Sequence, residues 1–209
     1  MTKDKRYIPK KFKKANKSFV NRILTEKERS SLIGFDVFPR KVNFYGKDPE
    51  EDVVLIVRRH WIAFVPPVLL SLLVVCTPFI YLLLTAQIAS FSFVLYLGIW
   101  IVALILSFNM IVTTALRWHY TVNIITDERI VCIRMDNAFY HSYSEAQLEK
   151  IEDITHTHVG ILGGIFDFGD VQIDTAGHDV DFKLRTIPRP RELQDVLNDL
   201  LEMKQKGDI

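Results

Sequence analysis

An uncharged block constrains this chain more than any other feature of its sequence. From Trp61 to Leu116, 56 consecutive residues include no Asp, Glu, Lys, Arg or His. A helix that crosses a bilayer needs about 20 apolar residues, so the block has room for two spans and one tight turn. We therefore predict a two-helix transmembrane hairpin, with spans at about residues 61–85 and 91–116.

Basic and aromatic residues border this block on both sides. Arg58, Arg59 and Trp61 stand at its start, and Arg117 and Trp118 follow its end. Such collars are typical of the boundary between headgroups and hydrocarbon, which makes Trp61, Arg117 and Trp118 candidate membrane-boundary residues. The loop between the spans carries no charge, so the positive-inside rule predicts that both termini are cytoplasmic.

The segments on either side of the hairpin carry opposite charge. Residues 1–60 contain 16 Lys and Arg against 8 Asp and Glu, whereas residues 117–209 contain 10 against 17. The dense like charge near the N-terminus predicts a solvated, flexible arm over residues 1–51. Within it, Phe19, Val20, Ile23 and Leu24 could form one stripe of a short helix over residues 18–33.

Basic side chains of this arm and of the collar are candidate contacts to an anionic surface. Each Lys or Arg near anionic lipid contributes about 1 kcal/mol to the free energy of membrane binding. A simple topology signal and docking on an acidic protein surface remain open as alternatives, and the few interleaved aromatic residues disfavour nucleic acid. The candidate residues are Lys10, Lys11, Lys13, Lys14, Lys17, Arg58 and Arg59.

After the hairpin the hydrophobic period becomes two. Residues 118–124 and 130–135 alternate around a turn at Thr126–Arg129, which indicates an antiparallel sheet. Further alternating or β-branched runs predict strands at residues 139–144, 151–158, 171–175 and 180–185. The chain ends with an apolar stripe at helical spacing, which predicts one capping helix after Pro190. The stripe consists of Leu193, Val196, Leu197, Leu200 and Leu201.

An ordered set of motifs resembles a known family. The hairpin is followed by Trp118-His119-Tyr120, the turn at residues 125–130, Ile151-Glu152-Asp153-Ile154, the glycine-rich residues 160–177 and Ile187-Pro188 before a helix. This order is similar to that of the bacterial membrane-flanked pleckstrin-homology-like (PH-like) domain, over roughly Val53 to Leu201.

The resemblance implies a fold and a location. The expected fold class is an α+β membrane protein, in which the hairpin precedes a PH-like small β-barrel or pair of orthogonal sheets with a C-terminal capping helix. The resemblance leaves the basic arm at 1–51 unmatched, and the expected domains after it are the hairpin at 52–117 and a cytoplasmic PH-like domain at 118–205, on a bacterial cytoplasmic (inner) membrane. PH folds have seven strands and six are predicted here, so residues 52–57 are a candidate seventh from before the hairpin.

The stretch from Gly160 to Gly177 holds five of the nine glycines of the chain. It lacks the Lys-Ser/Thr of a phosphate loop and the G-x-G-x-x-G of a dinucleotide turn, and its aspartates do not have calcium-loop spacing. We interpret it as a turn between strands whose apolar side chains are buried. The alternative is an exposed apolar tip that contacts lipid or protein. The candidate interaction loop is Gly160, Ile161, Leu162, Gly163, Gly164, Ile165, Phe166, Phe168 and Gly169.

No other motif predicts catalysis, a metal or a cofactor. His156 and His158 share a face of one strand, with His178 further along, but no nearby Cys completes a zinc set. His141 beside Ser142 or Ser144 has no supporting nucleophile motif. We expect no enzyme activity, no metal and no cofactor.

Inositol-lipid binding is disfavoured, although it is the obvious analogy for a PH-like fold. Eukaryotic relatives present Lys and Arg on the first hairpin, whereas the corresponding turn here is Thr126-Asp127-Glu128-Arg129. Fold alone does not transfer a function.

We therefore expect a membrane-anchored binding or scaffold module that recruits a protein partner or assembles with copies of itself. One alternative is a lipid-sensing module that uses the arm and the 160–169 loop. Another is a noncatalytic subunit of a transport or secretion complex. The expected partners are the lipid bilayer and a protein or a second copy, with anionic lipid as a further candidate and nucleic acid disfavoured.

Overall fold

The structure is a computed structural model that describes residues 8–9, 11–12, 19–20, 23, 34–39, 42, 44–85, 92–137, 140–176 and 182–207. The chain divides into two compact units. One unit contains residues Met1–His60, Thr121–Arg134 and His141–Ile209, and the other contains Trp61–Tyr120 with Met135–Tyr140. Lys10, Lys13, Lys14, Lys17, Leu24 and His178 lie outside the described residues.

Two long apolar helices dominate the second unit. A 3-10 turn at Trp61–Phe64 leads into α1 (Val65–Thr85), and α2 (Phe93–Tyr120) follows. Both are long and apolar enough to cross a membrane, with mean hydropathy of 2.4 for Trp61–Thr85 and 2.3 for Phe93–Tyr120. The prediction of two helices is confirmed, close to the expected bounds.

The two helices pack on each other through small polar and aromatic side chains. The hydroxyl groups of Ser71 and Ser107 are buried and hydrogen-bonded across the helix pair at 3.0 Å. The rings of Phe79 and Trp100 meet edge to face at 5.3 Å. Most of their leucine, isoleucine and valine side chains remain exposed.

The described strands form a five-stranded and a three-stranded sheet. In the larger sheet, β1 pairs with β2, β2 with β3, and β3 with β4, all antiparallel. Arg58, the last residue of β2, is opposite Val122, the first residue of β3. In sheet order the strands are β1 (Phe35–Val37), β2 (Val53–Arg58), β3 (Val122–Thr126), β4 (Arg129–Asn137) and β5 (Tyr140–Gln147).

A 3-10 turn at Leu148–Lys150 separates β5 from the smaller sheet. That sheet is antiparallel and has the order β6-β7-β8. A short helix, α3, joins β6 to β7, and α4 follows β8 after Arg189. The bounds are β6 (Ile151–His158), α3 (Gly160–Phe166), β7 (Phe168–Thr175), β8 (Phe182–Pro188) and α4 (Pro190–Lys206).

The predicted capping helix is present, and its apolar stripe is buried. α4 contacts β6 and β7. Pro190 stands at its first position, where a missing N–H costs nothing. The buried members of the stripe are Leu193, Val196, Leu197 and Leu200, while Leu201 is only partly buried.

Within the described residues the strands form two separate sheets and no closed barrel, so the fold is α+β with two sheets and a capping helix. The candidate seventh strand exists as β2, and β1 adds an eighth that the sequence did not reveal. The expected domain boundary at residue 52 is wrong, because residues 53–58 form part of the sheet and the hairpin unit begins at Trp61.

The basic arm is not wholly solvated. Phe12 is 1% exposed, and Phe19, Val20 and Ile23 are also buried in the main hydrophobic core. The ring of Phe12 lies 5.5 Å from that of Phe38. The prediction of a flexible arm is therefore wrong for these residues, because the gain from burying apolar side chains exceeds the repulsion among the lysines between them.

A second apolar cluster covers the opposite face of the larger sheet. Val53, Ile124 and Val131 are buried there, and Val42 and Phe44 pack over them. The segment before β2, which we predicted to be part of the solvated arm, thus shields a sheet face from solvent. Burial on both faces explains why β2 is continuously apolar rather than alternating.

Candidate functional site

The glycine-rich stretch forms a short helix rather than a turn. α3 ends at Phe166, and the left-handed backbone of the next residue, Asp167 (φ 50°), redirects the chain into β7. Three glycines in seven residues give α3 a low intrinsic helix propensity. We therefore predicted a turn here from the sequence, and that prediction is wrong. Tertiary contacts hold the helix instead.

The apolar side chains of α3 face solvent. Ile161 is 85% exposed and Ile165 is 68% exposed, and Leu162 and Phe166 are exposed as well. These four residues, which we call the α3 surface, lie within about 140° of the helix circumference, since successive residues turn by about 100°. Our prediction that they are buried is wrong, whereas the predicted burial of Phe168 is confirmed.

Close backbone packing seats α3 on the strands that it connects. A Cβ at Gly163 would lie 2.9 Å from the carbonyl oxygen of Phe168. One at Gly169 would lie 2.3 Å from the carbonyl oxygen of Thr157. Gly160 has a positive φ of 63°, and a Cβ at Gly164 would meet nothing within 4 Å. Of these glycines, 163 and 169 are therefore the ones that close approach requires.

His60 packs beneath the C-terminal end of α3. Its ring stacks on the ring of Phe168, with centroids 5.5 Å apart and planes 16° from parallel. Its backbone N–H donates to the carbonyl of Thr186 at 2.7 Å. Burial lowers the pKa of His60 below its usual value, and the charge of Asp167 partly opposes that effect. His60 is therefore a buried neutral imidazole at physiological pH.

Arg129 is held by acidic side chains at the turn between β3 and β4. Its Nη2 donates to Glu51 Oε2 at 2.9 Å, its Nη1 to Glu145 at 3.2 Å, and it also reaches Asp48 at 3.3 Å. Glu51 is 2% exposed. Burial alone would raise the pKa of Glu51, but the hydrogen bonds of Arg129 and Thr126 lower it overall. The pair is thus ionised and largely withdrawn from water.

Lys11 is ion-paired at the same turn. Its Nζ lies 2.7 Å from Asp127 Oδ2, and the other oxygen of Asp127 accepts the backbone N–H of Asp52 at 2.9 Å. The hydrogen bond to Asp127 raises the pKa of Lys11. Lys11, a candidate contact to an anionic surface, is thereby bound within the fold.

These contacts give a physical reason to disfavour an inositol phosphate at this turn. Lys11 and Arg129 already have carboxylate partners at ion-pair distance, and a phosphate would have to displace them. Asp48, Glu51 and Glu128 also lie close enough to hold a metal ion, but Arg129 donates to two of these three carboxylates. The ion pairs of this turn therefore connect the arm and the segment before β2 to strands β3 and β4.

The boundary residues lie at the ends of the hairpin helices and of β2. The backbone N–H of Arg58 donates to the carbonyl of Gly34 at 2.9 Å, and its side chain is half-buried, as is that of Arg59. Trp61 and Arg117 are exposed, and the ring of Trp118 lies 5.5 Å from that of Phe64.

The paired histidines on β6 have protein partners. His156 Nδ1 is hydrogen-bonded to Gln194 Oε1, and His158 Nε2 lies 3.3 Å from Asp167 Oδ1. Their rings are 5.6 Å apart. These contacts connect α4 and the end of α3 to β6.

A family model identifies the fold to which these elements belong. The model described as Bacterial PH domain matches residues 62–201, which is two thirds of the chain. The chain belongs to this family. The bacterial PH domain match begins inside the hairpin, so it omits β1, β2 and the arm, although β2 is hydrogen-bonded to β3 within the same sheet.

Other comparisons add little to the family assignment of this bacterial PH domain. A search of curated proteins found no match. Among solved structures, the chain is similar to a DUF1696-family protein with a pleckstrin-homology domain from Shewanella loihica PV-4. The identity is 13%, and the alignment covers 41% of this chain and 74% of that one with a TM-score of 0.33. At that level the likeness carries no argument of its own.

Sequence reasoning missed three residues that organise these sites. Glu51 and Asp127 are acids in polar segments, and His60 stands between the basic and aromatic residues that border the uncharged block. Their burial depends on partners that lie up to 126 positions away, such as Thr186 for His60. No local pattern in the sequence signals such contacts.

Proposed function

We propose that this bacterial PH domain protein is a membrane-anchored binding module, held on the cytoplasmic face of the membrane, that recruits a protein partner or assembles with copies of itself. The observation that carries the proposal is the register of Arg58 opposite Val122. The chain leaves the sheet for the hairpin and returns to it at one paired position, so a membrane hairpin would hold the sheet by two neighbouring strands.

Short connections support a close tether. Two residues separate β2 from the first turn of the hairpin, and one separates α2 from β3. Because each residue extends the chain by at most about 3.6 Å, neither connection can span more than about 11 Å. A domain tethered so closely favours partners that are themselves at the membrane.

Exposed apolar groups support binding rather than a purely structural role. The α3 surface is uncharged and open to solvent. Exposed apolar surface of this kind marks contact sites for protein or membrane. The proposal assigns no catalytic step to the chain.

Membrane insertion and orientation are tested together on the full chain. We expect the protein to stay in the membrane pellet after alkaline carbonate extraction. A reporter active only outside the cytoplasm, fused after residue 209, should stay silent. Release by carbonate would overturn the anchor, and an active reporter would overturn the orientation.

Partner recruitment is tested by affinity capture of the full-length protein from detergent-solubilised membranes, combined with in-membrane cross-linking. A specific partner or a cross-linked homo-oligomer supports the module. Recovery of a defined multi-subunit transporter would favour the alternative of a noncatalytic subunit. A monomer that captures nothing above a control hairpin protein would contradict the proposal.

A further inference from the structure

The α3 surface combines strong exposure with a fixed position. Four large apolar side chains share one side of a seven-residue helix that contains no charged residue. On its opposite side Gly163 is buried against β6 and β7, and the backbone N–H of Gly163 donates to the carbonyl of Val159 at 3.0 Å. The apolar side is therefore held outward by the packing of the helix.

This surface lies at the part of the domain from which the chain departs for the hairpin. α3 is followed by Asp167 and then by Phe168, whose ring stacks on His60. His60 is the last residue before Trp61, where the hairpin unit begins. The first residue of β7, two positions after α3, is thus packed, within its own unit, against the residue that connects that unit to the apolar block.

The size of the surface favours lipid over a stable protein dimer. Four aliphatic or aromatic side chains offer about 400 Å² of apolar area, if each contributes about 100 Å². A stable protein interface buries about 800 Å² on each partner. A lipid contact needs no such area here, because the tether makes it intramolecular and supplies a high effective concentration.

Charge also distinguishes the possible lipid contacts. Residues 117–209 contain 10 basic and 17 acidic residues, and residues 1–60 of the same unit contain 16 and 8, so the two charges nearly cancel and give the unit little net attraction to anionic headgroups. At the base of α3, His158 and Asp167 already lie 3.3 Å apart. Attraction to the bilayer at α3 must therefore come from the apolar side chains and be independent of lipid charge.

We propose that the α3 surface inserts into the leaflet that the hairpin of the same chain crosses, as a second, shallow membrane contact that fixes the orientation of the PH-like domain. Ile161 and Ile165, the most exposed residues, lead the insertion to the depth typical of interfacial helices, about 5–10 Å below the headgroup boundary. This inference rests on the proposed membrane anchor and adds a specific surface to it.

The test places an environment-sensitive fluorophore on the full-length protein in vesicles. Ile161→Cys and Ile165→Cys are labelled in a Cys76→Ala background. Cys132 remains, because it is buried and burial raises the pKa of its thiol to about 12, so little thiolate is available to react at neutral pH. Glu202→Cys, on an exposed position of α4, is the matched control.

Quenching by lipid-attached nitroxide is then compared with quenching by aqueous iodide. We expect labels at 161 and 165 to be quenched by the lipid nitroxide and shielded from iodide, and the label at 202 to show the reverse. The result should be the same in phosphatidylcholine alone and in mixtures with phosphatidylglycerol, and should not weaken at high salt.

Three outcomes overturn the inference. Labels at 161 and 165 that iodide quenches as strongly as the label at 202 would show that α3 stays in water. Labels shielded from both quenchers would show a protein interface. Lipid quenching that requires phosphatidylglycerol would show electrostatic adsorption. Because carbonate extraction is scored separately, failure of the α3 contact remains distinguishable from failure of the anchor.

Charged substitutions provide a second measurement. With the label at Leu162→Cys, the pair Ile161→Asp and Ile165→Asp should abolish lipid quenching, and the pair Ile161→Leu and Ile165→Leu should preserve it. Both positions are solvent-exposed, so neither pair should lower the apparent Tm of the detergent-solubilised protein. Lipid quenching that persists in the aspartate pair would contradict the inference.

Discussion

At the scale of single residues, the ion pair of Arg129 and Glu51 shows how a charged turn becomes part of a core. Glu51 is almost fully removed from solvent, and the guanidinium of Arg129 reaches three carboxylates and the carbonyl of Gly46. Desolvating two such charges is costly, so the pair contributes less by its attraction than it would cost if one partner were removed.

Arg129→Met should therefore destabilise the protein by about 3 kcal/mol, since it leaves Glu51 buried without its cationic partner. The double variant Arg129→Met with Glu51→Leu should recover a substantial part of that loss. Denaturant titration of the detergent-solubilised protein measures both changes. Strictly additive losses in the double variant would show that the two side chains do not interact.

The buried imidazole of His60 should make the stability of the protein fall in a step as pH drops below neutrality. The folded state depresses the pKa of His60, whereas the unfolded state takes up a proton at the ordinary value of 6.5. The contribution of neutral His60 is thus complete above that value and is lost as pH falls below it. We expect the apparent Tm to decline from pH 6.5 downwards.

His60→Phe should preserve the ring stack on Phe168 and flatten this step. A later decline should remain below the ordinary glutamate value of 4.5, since the pKa of Glu51 is also depressed in the fold. Tm measured across pH in both proteins separates the two steps. An unchanged step near pH 6 in His60→Phe would assign it to another group.

At the scale of elements, the seat of α3 depends on glycine at specific positions only. Gly169→Ala should destabilise the protein by about 1–3 kcal/mol, because the new Cβ would lie 2.3 Å from the Thr157 carbonyl and the strands would have to separate. Gly164→Ala should be neutral or slightly stabilising, since its Cβ meets open space and alanine favours helix.

Thermal unfolding of the two glycine variants provides the measurement, and Gly164→Ala is the internal control. Equal Tm shifts in both variants would contradict the close approach of β7 to β6 at Gly169.

The elements that could be predicted from the sequence are those whose hydrophobic periodicity reflects one buried face. β6 has the predicted bounds, and α4 carries its apolar stripe because one side packs on the sheet. α3 and β1 were missed for different reasons. α3 has poor helix propensity and an outward apolar side, and β1 has three residues, which is too short for any period to emerge.

At the scale of the whole molecule, the N-terminal segment belongs to the PH-like unit. Phe12, Phe19 and Ile23 share one core with α4, although lysines dominate the composition around them. Composition predicted a solvated arm because charge density is a bulk property, whereas burial depends on a few apolar side chains at the correct spacing. The ion pair between Lys11 and Asp127 could not be predicted from the sequence for the same reason, because the two residues meet only in the folded chain.

Phe12→Ala should therefore destabilise the protein by about 3–5 kcal/mol, the usual cost of removing a buried phenylalanine from a packed core. Tyr45→Ala is the matched control, because Tyr45 is 94% exposed and its loss should leave stability unchanged. Denaturant unfolding and limited proteolysis both report the difference. Equal stability of the two variants would contradict the burial of Phe12 and indicate that the arm is solvated.

The pairing of Arg58 with Val122 also imposes an order on biosynthesis. Between the end of β2 and the start of β3 lie 63 residues, whose synthesis takes on the order of 10 s at typical elongation rates. During that interval an apolar strand has no neighbour on one edge, while the two apolar helices are being synthesised. Completion of the sheet must therefore wait for the hairpin to be made, and a nascent chain stalled within the hairpin would expose β2 to chaperones and proteases.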